Sequence, residues 1–221
     1  MRDRLKNERT DTFDERKIMI TIIDYGIGNI GSVANALSTL GISFEISGDP
    51  VALSRSQALI LPGVGAAGVG MKNLKERKLD EVIKQKIAEG VPFLGICLGM
   101  QLLFEWSQED DTKCLGVLKG KVVKFEKEKN IPQIGWNKMK RKTKSEKLKV
   151  LNGIKDNSYF YFVHSYYCIP EDRSIIAGET EYGETFASLI VKDNIVATQF
   201  HPEKSGSSGL KLIQNFSKGV L

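Results

Sequence analysis

Short apolar runs alternate with amphipathic stretches along the first hundred residues of the chain. Four of the runs predict strands: Ile20–Ile23, which has the β-branched composition of a buried strand, Ile42–Ile46, Ala58–Leu61 and Val91–Ile96. Helices are predicted over Ile30–Leu40 and Leu74–Ala88, and another helix is expected to follow Cys97. Strands and helices in this alternation indicate βαβ units and a mostly parallel sheet.

Beyond Leu115 the pattern loses its long helical stretches. Five short strand-like runs follow: Gly120–Phe125, Tyr159–Val163, Ile175–Glu179, Ala187–Val191 and Ile195–Gln199. They predict an antiparallel or mixed extension of the sheet, and Ser208–Phe216 is predicted to be a final helix. The expected fold class is therefore α/β, with helices sandwiching a mostly parallel sheet that carries a C-terminal antiparallel or mixed β extension.

The chain of 221 residues is expected to form one domain, residues 19–221, behind a polar N-terminal extension. The first 17 residues carry six basic and five acidic side chains and almost no apolar ones, so residues 1–18 are predicted to be disordered. With 41% apolar and 27% charged residues in the whole chain, the remainder is expected to be globular.

Three function classes are disfavoured by composition. No apolar run approaches the roughly 18 residues that a membrane span needs, so no membrane partner is expected. The three cysteines argue against a disulfide framework and for a cytoplasmic setting. Those cysteines and the two histidines are scattered without metal-ligand spacing, so no metal site is predicted.

The net charge of +5 is unevenly distributed along the chain. The stretch Lys119–Lys149 holds twelve Lys and Arg residues against three acids, a local charge of +9. A nucleic-acid surface and a docking face for an acidic protein are both compatible with this charge. A solvated, lysine-rich hairpin is favoured, because no aromatic interleaving suggests a stacking platform, and no nucleic-acid partner is expected.

The segment Gly95-Ile96-Cys97-Leu98-Gly99 joins a predicted strand to a predicted helix. A cysteine with glycines two residues away on both sides matches a nucleophile elbow, a turn too sharp for side chains at the glycine positions. At a helix N-terminus the dipole favours a thiolate, and the Leu98 N–H can serve as an oxyanion-hole donor. The alternative interpretation is a buried structural cysteine in a glycine-rich turn.

A base for such a nucleophile is predicted in the segment Thr198-Gln199-Phe200-His201-Pro202-Glu203. Residues two apart on an extended chain face the same way, and Pro202 keeps His201 extended. Glu203 is therefore predicted to orient the His201 imidazole, as the third member of a triad does. By itself this segment also fits a surface turn; together with Cys97 it predicts a Cys-His-Glu triad.

The other cysteines and the second histidine lack comparable surroundings. Cys114 and Cys168 are predicted to be ordinary small residues. His164 follows the apolar segment Tyr161-Phe162-Val163 and is predicted to be structural or to position a substrate, with a role as a second base as the alternative.

Together these motifs resemble a known family. Gly-x-Cys-x-Gly-x-Gln with a distal His-Pro-Glu is similar to the class I, triad-type glutamine amidotransferases. The resemblance narrows to the glutaminase subunits of imidazole glycerol phosphate synthase through five segments: Asp24–Asn29, Pro62–Ala66, Pro132–Asn137, Tyr161–Tyr166 and Gln199–Ser205. It extends from Met19 to the C-terminus and implies a flavodoxin-like arrangement of the expected sheet.

The resemblance implies hydrolysis of L-glutamine to glutamate and ammonia without a cofactor. Cys97 would form a thioester with the side-chain carboxamide, and His201 would carry its proton. Gly63 or Val64 is implied as the second oxyanion-hole donor. We hypothesise that this peptide N–H points away from the site in the resting enzyme, so that the oxyanion hole assembles only when the partner has bound its ligand. The implied glutamine-binding residues are Gly65, Gln101, Glu109, Ser165 and Tyr166, with Glu109 assigned to the ammonium group.

The resemblance also implies a separate partner, a (β/α)8-barrel cyclase. This cyclase would use the ammonia in histidine biosynthesis to make imidazole glycerol phosphate and aminoimidazole carboxamide ribotide. Asn29, Trp136, Tyr161 and Lys204 lie in motifs that are implied to flank the docking face. Each also fits a purely structural or solvent-exposed role: a turn cap, a buried aromatic, a strand aromatic and a solvated lysine, respectively.

Two other functions stay open from the sequence. A related glutaminase with the same chemistry could supply ammonia for amidation of a surface-polysaccharide sugar. A flavodoxin-like binding or scaffold module with an incidental cysteine predicts instead that Cys97 reacts no faster than Cys114 with an electrophile.

Overall fold

The computed structural model describes residues 18–127, 130–142 and 148–219. Of residues 1–18, which were predicted to be disordered, all but Ile18 lie outside the described part of the chain, and Ile18 is partly buried against the core. Four strands and four helices alternate in the first half of the chain: β1 Ile20–Ile23, α1 Ile30–Thr39, β2 Phe44–Ser47, α2 Pro50–Ser54, β3 Ala58–Leu61, α3 Ala67–Glu76, α4 Leu79–Ala88 and β4 Phe93–Ile96. A helix of four residues, α5 Leu98–Gln101, follows β4 after a single residue.

The second half of the chain is mostly strand. Its elements are β5 Trp106–Ser107, β6 Thr112–Lys113, β7 Gly120–Lys124, β8 Gln133–Arg141, β9 Ser158–His164, β10 Tyr166–Pro170, β11 Ile176–Tyr182, β12 Glu184–Lys192, β13 Ile195–Thr198 and α6 Gly206–Ser217. The five predicted strand-like runs are confirmed as β7, β9, β11, β12 and β13. Part of the lysine-rich stretch is also ordered, because β8 runs through it.

Within the described residues, one sheet of nine strands forms the centre of the fold, in the order β2-β1-β3-β4-β13-β12-β11-β8-β9. The strands from β2 to β13 are parallel, and those from β12 to β9 are antiparallel. A second sheet of four strands has the order β10-β7-β5-β6. The predicted fold class, a mostly parallel α/β sheet with an antiparallel or mixed extension, is confirmed.

Helices cover both faces of the parallel strands, as their apolar sequences require. Successive side chains of a strand point to opposite faces, so Leu59 and Leu61 join one core cluster while Ile60 joins the other. The first cluster includes Leu74 and other residues of α3 and α4, and the second includes residues of α1 and α6 such as Leu212. Within the described ranges, no helix combines the length and the apolar character needed to cross a bilayer.

The single helix predicted over Leu74–Ala88 is wrong. The chain forms two helices there, because α3 ends at Glu76 and α4 begins at Leu79. Leu74 and Leu79 are both fully buried, and five residues of continuous helix would turn them to different sides. Lys78 adopts a left-handed backbone conformation with φ 58°, which restarts the helix with Leu79 facing the core.

Candidate active site

Cys97 lies in the sharp turn between β4 and α5, with φ 54° and ψ −108°. A non-glycine residue with positive φ stores backbone strain, which is common at functional sites. The turn depends on Gly99, because a Cβ atom there would collide with the carbonyl oxygen of Leu61 on the neighbouring strand β3. The predicted strand-to-helix elbow is therefore formed, with the cysteine at its apex.

The sheet order brings His201 to Cys97. Strands β4 and β13 are parallel neighbours in which Ile96 pairs with Thr198, although about a hundred residues separate them in sequence. The Cys97 N–H donates to the Thr198 carbonyl oxygen (2.7 Å), so both chains leave the sheet at the same carboxyl edge. In open α/β sheets this edge is where ligands bind.

His201 and Glu203 form a buried pair behind Cys97. His201 Nδ1 lies 2.9 Å from Glu203 Oε1, and both side chains are 1% exposed. Burial lowers the pKa of His201, but the neighbouring Cys97 and the Glu203 carboxylate outweigh it and raise that pKa to about 10. The pair can therefore hold an imidazolium beside the Cys97 sulfur.

The Cys97 sulfur makes two hydrogen-bond contacts besides its contact with the His201 imidazole. It lies 3.8 Å from the Val163 carbonyl oxygen, and Gln199 Nε2 donates to it at 3.7 Å. Among the described residues, His201 Nε2 has no hydrogen-bond partner and is buried. That ring nitrogen is thus available for a proton from the sulfur or from a bound molecule.

A cavity of about 340 Å³ opens beside Cys97, within the size range of small-molecule sites. All five residues implied for glutamine binding line it, together with Val64, Cys97 and Leu98: Gly65, Gln101, Glu109, Ser165 and Tyr166. His201 and Glu203 do not line it. Two lining residues received no binding role from the sequence, Pro132 and Val163, although both lie in the quoted motifs. His164, predicted to be structural or to position a substrate, also lines the cavity.

The loop after β3 packs directly on the elbow. A Cβ atom on Gly63 would lie 2.6 Å from Leu98 Cβ and 2.7 Å from Gly99 N, so only glycine fits this contact. Gly63 itself does not line the cavity, whereas the adjacent Val64 does. Leu98 is the first residue of α5, so its N–H has no acceptor within the helix and is free for a ligand.

Glu109 reaches the cavity from a short 3-10 turn, Glu109–Asp111. Its Oε2 atom accepts the N–H of Ala67 (2.8 Å), at the start of α3. Burial raises the pKa of this carboxyl, the Ala67 hydrogen bond opposes the rise, and neighbouring Asp110 adds to it. Of the acidic cluster 109–111, only Glu109 lines the cavity; Asp111 accepts a hydrogen bond from the Trp106 indole (2.6 Å).

His164 is a neutral, buried histidine. Burial lowers its pKa to about 3, and its Nδ1 atom lies 2.8 Å from the Tyr166 carbonyl oxygen. Its ring packs against aromatic side chains, including Phe125 and Phe186. Because an acceptor faces Nδ1, the proton resides there, which fits the predicted structural or positioning role better than that of a second base.

Cys114 and Cys168 are buried and unpaired. Burial raises the pKa of Cys114 to about 12 and that of Cys168 well above its usual range. Both properties fit the predicted role of ordinary small residues. In the three described ranges, no group of three or more His, Cys, Asp or Glu side chains is arranged to hold a metal ion.

The four residues implied for docking lie in one neighbourhood around the pair. Asn29 Nδ2 donates to Glu203 Oε1 (3.4 Å) and does not cap α1, while Lys204 is exposed next to Glu203. Trp136 is 53% exposed, so the buried-aromatic alternative is wrong, and its ring packs edge-on against Tyr161 at 6.1 Å. The Tyr161 carbonyl oxygen accepts the His201 N–H (2.9 Å).

Solved structures share this fold. A crystal structure of a glutamine amidotransferase superposes with a TM-score of 0.71 at 18% identity, covering 91% of this chain and 98% of that one. The structure of PurLQS from Thermotoga maritima gives a TM-score of 0.71 at 17% identity, covering 90% and 97%. At such identities the likeness concerns the fold alone.

Sequence relatives are much more similar. A subunit named imidazole glycerol phosphate synthase subunit HisH, from Dehalococcoides mccartyi, is 49% identical over 204 residues, which is 92% of this chain and 98% of that protein. The subunit of the same name from Aquifex aeolicus is 50% identical over 199 residues, covering 89% and 95%. The family described as glutamine amidotransferase class-I matches residues 21–219. The chain therefore belongs to the class-I glutamine amidotransferases and, within them, to the HisH family.

Proposed function

We propose that this glutamine amidotransferase hydrolyses L-glutamine through a Cys97 thioester and delivers the ammonia to a separate cyclase subunit. The observation that carries the proposal is the meeting of Cys97 with the His201–Glu203 pair beside a cavity of about 340 Å³. The relatives are named as subunits of imidazole glycerol phosphate synthase, which supports a partner for this chain as well.

In the proposed reaction, the Cys97 sulfur attacks the carboxamide carbon of glutamine while His201 holds the thiol proton. The carbonyl oxygen becomes an oxyanion that accepts the Leu98 N–H and a second N–H from Gly63 or Val64. The C–N bond then breaks, and the His201 proton leaves with the nitrogen as ammonia. Water adds to the thioester with His201 as base, and glutamate departs with the thiol restored.

We assign the free end of glutamine to the opposite wall of the cavity. Glu109 places one oxygen on the Ala67 N–H and leaves the other for the substrate ammonium. Gly65, Gln101, Ser165 and Tyr166 complete the assigned site. The Tyr166 carbonyl oxygen is already shared by Gln101 Nε2 and His164 Nδ1, so Tyr166 is expected to act through its remaining atoms.

The docking face is assigned to the outer surface of β8 and β9. Ile134 and Trp136 on β8 and Tyr159 on β9 are 64%, 53% and 52% exposed, and they adjoin the neighbourhood of Asn29, Tyr161 and Lys204. Such a patch of exposed apolar and aromatic side chains is typical of an interface. A partner seated there would lie next to the triad and could receive ammonia before water protonates it. Ring formation, the lyase step, would belong to that partner.

The test is glutamate release by the purified chain in three settings: alone, with the barrel cyclase, and with the cyclase and its nucleotide ligand. We expect little activity alone and strong activity with the loaded partner, absent in Cys97→Ala. If the cyclase does not stimulate glutamate release while a glutamine-mimicking electrophile still alkylates Cys97, the ammonia would instead be assigned to amidation of a surface-polysaccharide sugar. A cytoplasmic location is part of the proposal, since all three cysteines are unpaired.

A further inference from the structure

A chain of side-chain amides runs from the cavity wall to the back of the Cys97 sulfur. Gln101 Nε2 donates to the Tyr166 carbonyl oxygen (2.9 Å) and to Gln199 Oε1 (3.2 Å). Gln199 Nε2 in turn donates to Cys97 Sγ (3.7 Å). Gln199 is fully buried and Gln101 is 4% exposed, so water does not compete for these bonds.

The direction of the two amides is set at the Tyr166 end. A backbone carbonyl only accepts, so the NH2 group of Gln101 must face Tyr166. The same NH2 group then faces Gln199, which must present its oxygen to Gln101. The NH2 group of Gln199 is consequently left for the sulfur. Turning Gln101 over would place its oxygen against two acceptors, and turning Gln199 over would place two NH2 donors together.

Gln199 is also held by its backbone. It follows the last residue of β13, and its N–H donates to the Ser188 carbonyl oxygen of β12 (3.0 Å). The same short segment carries His201 two residues later, so one extension of β13 supplies two of the groups that face the sulfur. His201 exchanges a proton, whereas an amide N–H can only donate a hydrogen bond at neutral pH.

We infer that Gln199 is a positioning residue that holds the Cys97 sulfur and stabilises its thiolate, and that Gln101 keeps Gln199 in the orientation for this. A thiolate is a much better acceptor than a thiol, so an N–H aimed at the sulfur favours the charged form. The Val163 carbonyl oxygen, 3.8 Å from the sulfur, favours the thiol instead. The inference rests on the proposed role of Cys97 as nucleophile.

The experiment measures alkylation of Cys97 by iodoacetamide against pH, with the product located by mass spectrometry. Alkylation forms a sulfur–carbon bond and releases iodide, and it requires neither glutamine nor a partner. Gln199→Leu removes the amide, and Gln199→Glu keeps the shape but places an anion where the N–H was. We expect the rate at neutral pH to fall about tenfold in Gln199→Leu, and further in Gln199→Glu, with the pH profile moved to higher pH.

A kinetic split separates positioning from glutamine binding. Gln199 does not line the cavity, so kcat for glutamate release is expected to fall while KM for glutamine changes less than about twofold. Gln101 lines the cavity, so Gln101→Met is expected to raise KM and also to slow alkylation. The Gln101→Met and Gln199→Leu effects on alkylation should be smaller together than their sum, because both break one chain of bonds.

The matched control is Asn215→Leu, which also removes a buried amide that makes two hydrogen bonds, to Val150 and Asn152 in another part of the core. It is expected to lower the melting temperature without moving the alkylation profile. If Gln199→Leu does not fold, the isosteric Gln199→Glu decides. If the folded Gln199 variants keep the wild-type alkylation rate and pH profile, the inference about Gln199 is wrong, while the proposed function of Cys97 still stands. If wild-type Cys97 reacts no faster than Cys114, the inference and the proposed function both fail.

Discussion

The parallel and the antiparallel half of the main sheet differ in how their faces are covered. In β1, β3 and β4 every residue is buried, because helices cover both faces. In β8 and β9 buried and more exposed positions alternate, and the outer face leaves Ile134, Trp136 and Tyr159 open. A parallel strand needs helices on both sides, whereas an antiparallel pair can keep one face for another molecule.

This difference matches a division of labour between the halves. The reacting groups stand at the carboxyl edge of the parallel half, at the ends of β4 and β13. The antiparallel half contributes Val163, His164 and Ser165 to the cavity wall and offers the proposed docking face. The following changes test whether chemistry, stability and docking separate along this line.

The largest effect is expected for chemistry. Cys97→Ala should lower glutamate release by at least about a thousandfold, since it removes the proposed nucleophile that forms the thioester. Cys168→Ala, on β10 of the second sheet, should leave the activity within about twofold. Glutamate release by the loaded complex is the measurement, and comparable losses in both variants would refute the assignment of the nucleophile.

The free energy of unfolding should depend more on core residues of the parallel half than on outward residues of the antiparallel half. Ile60 is fully buried on β3, so Ile60→Ala is expected to reduce the free energy of unfolding by about 2–5 kcal/mol. Ile134→Ala on β8, where the side chain is 64% exposed, should change it by less than about 0.5 kcal/mol. Urea unfolding of both variants checks the comparison, and a large loss in Ile134→Ala would show that its face is packed rather than open.

Affinity for the partner should depend on exposed residues of the antiparallel half. Trp136→Ala is expected to weaken partner binding by about 2 kcal/mol, roughly thirtyfold in Kd, because half-exposed aromatic residues are frequent hot spots. Ile169→Ala, 39% exposed on β10, serves as the matched surface control. Titration calorimetry with the cyclase measures both. Equal affinities for wild type and Trp136→Ala would place the interface elsewhere.

The smallest expected effect is a change in the pH dependence of stability within the parallel half. Folding raises the pKa of His201 from 6.5 to about 10, so its stabilising contribution is complete below pH 6.5 and is lost as the pH rises towards about 10. Glu203→Gln removes one cause of the raised pKa. The difference in unfolding free energy between wild type and Glu203→Gln should therefore shrink with rising pH across this window. A difference independent of pH would contradict the buried charged pair.

Local patterns predicted the elements that local chemistry controls. Strands β1 and β3 were predicted to the residue, because the β-branched run Ile-Thr-Ile-Ile and the apolar run Ala-Leu-Ile-Leu each end at turn-forming residues. The break at Lys78 was missed, since the apolar spacing on its two sides fits one helix until the burial of Leu74 and Leu79 is known. A lysine-rich hairpin was predicted for Lys119–Lys149, but β8 itself was not identified as a strand, because its outward lysines and Trp136 obscure the alternation.

The candidate site divides in the same way. Two short motifs hold Cys97 with its glycines and His201 with Glu203. The spacing within each motif is enough to predict the sharp turn at Cys97 and the contact between His201 and Glu203. The cavity residues implied by family resemblance do meet around Cys97, from segments near 65, 101, 109 and 165. The contacts of Gln199 with Gln101 and Cys97 carry no local pattern, because they join side chains 98 and 102 residues apart.

By itself the sequence determined the fold class, the family and the residues able to form a triad, since each depends on periodicity or on neighbours within a few positions. Only the tertiary structure decided that β13 inserts beside β4 and delivers His201 to Cys97. It also decided that Gln199 faces the sulfur and that β8 and β9 keep an open face. These features depend on strand order and burial, which are set by the free energy of the whole packed sheet rather than by any one segment.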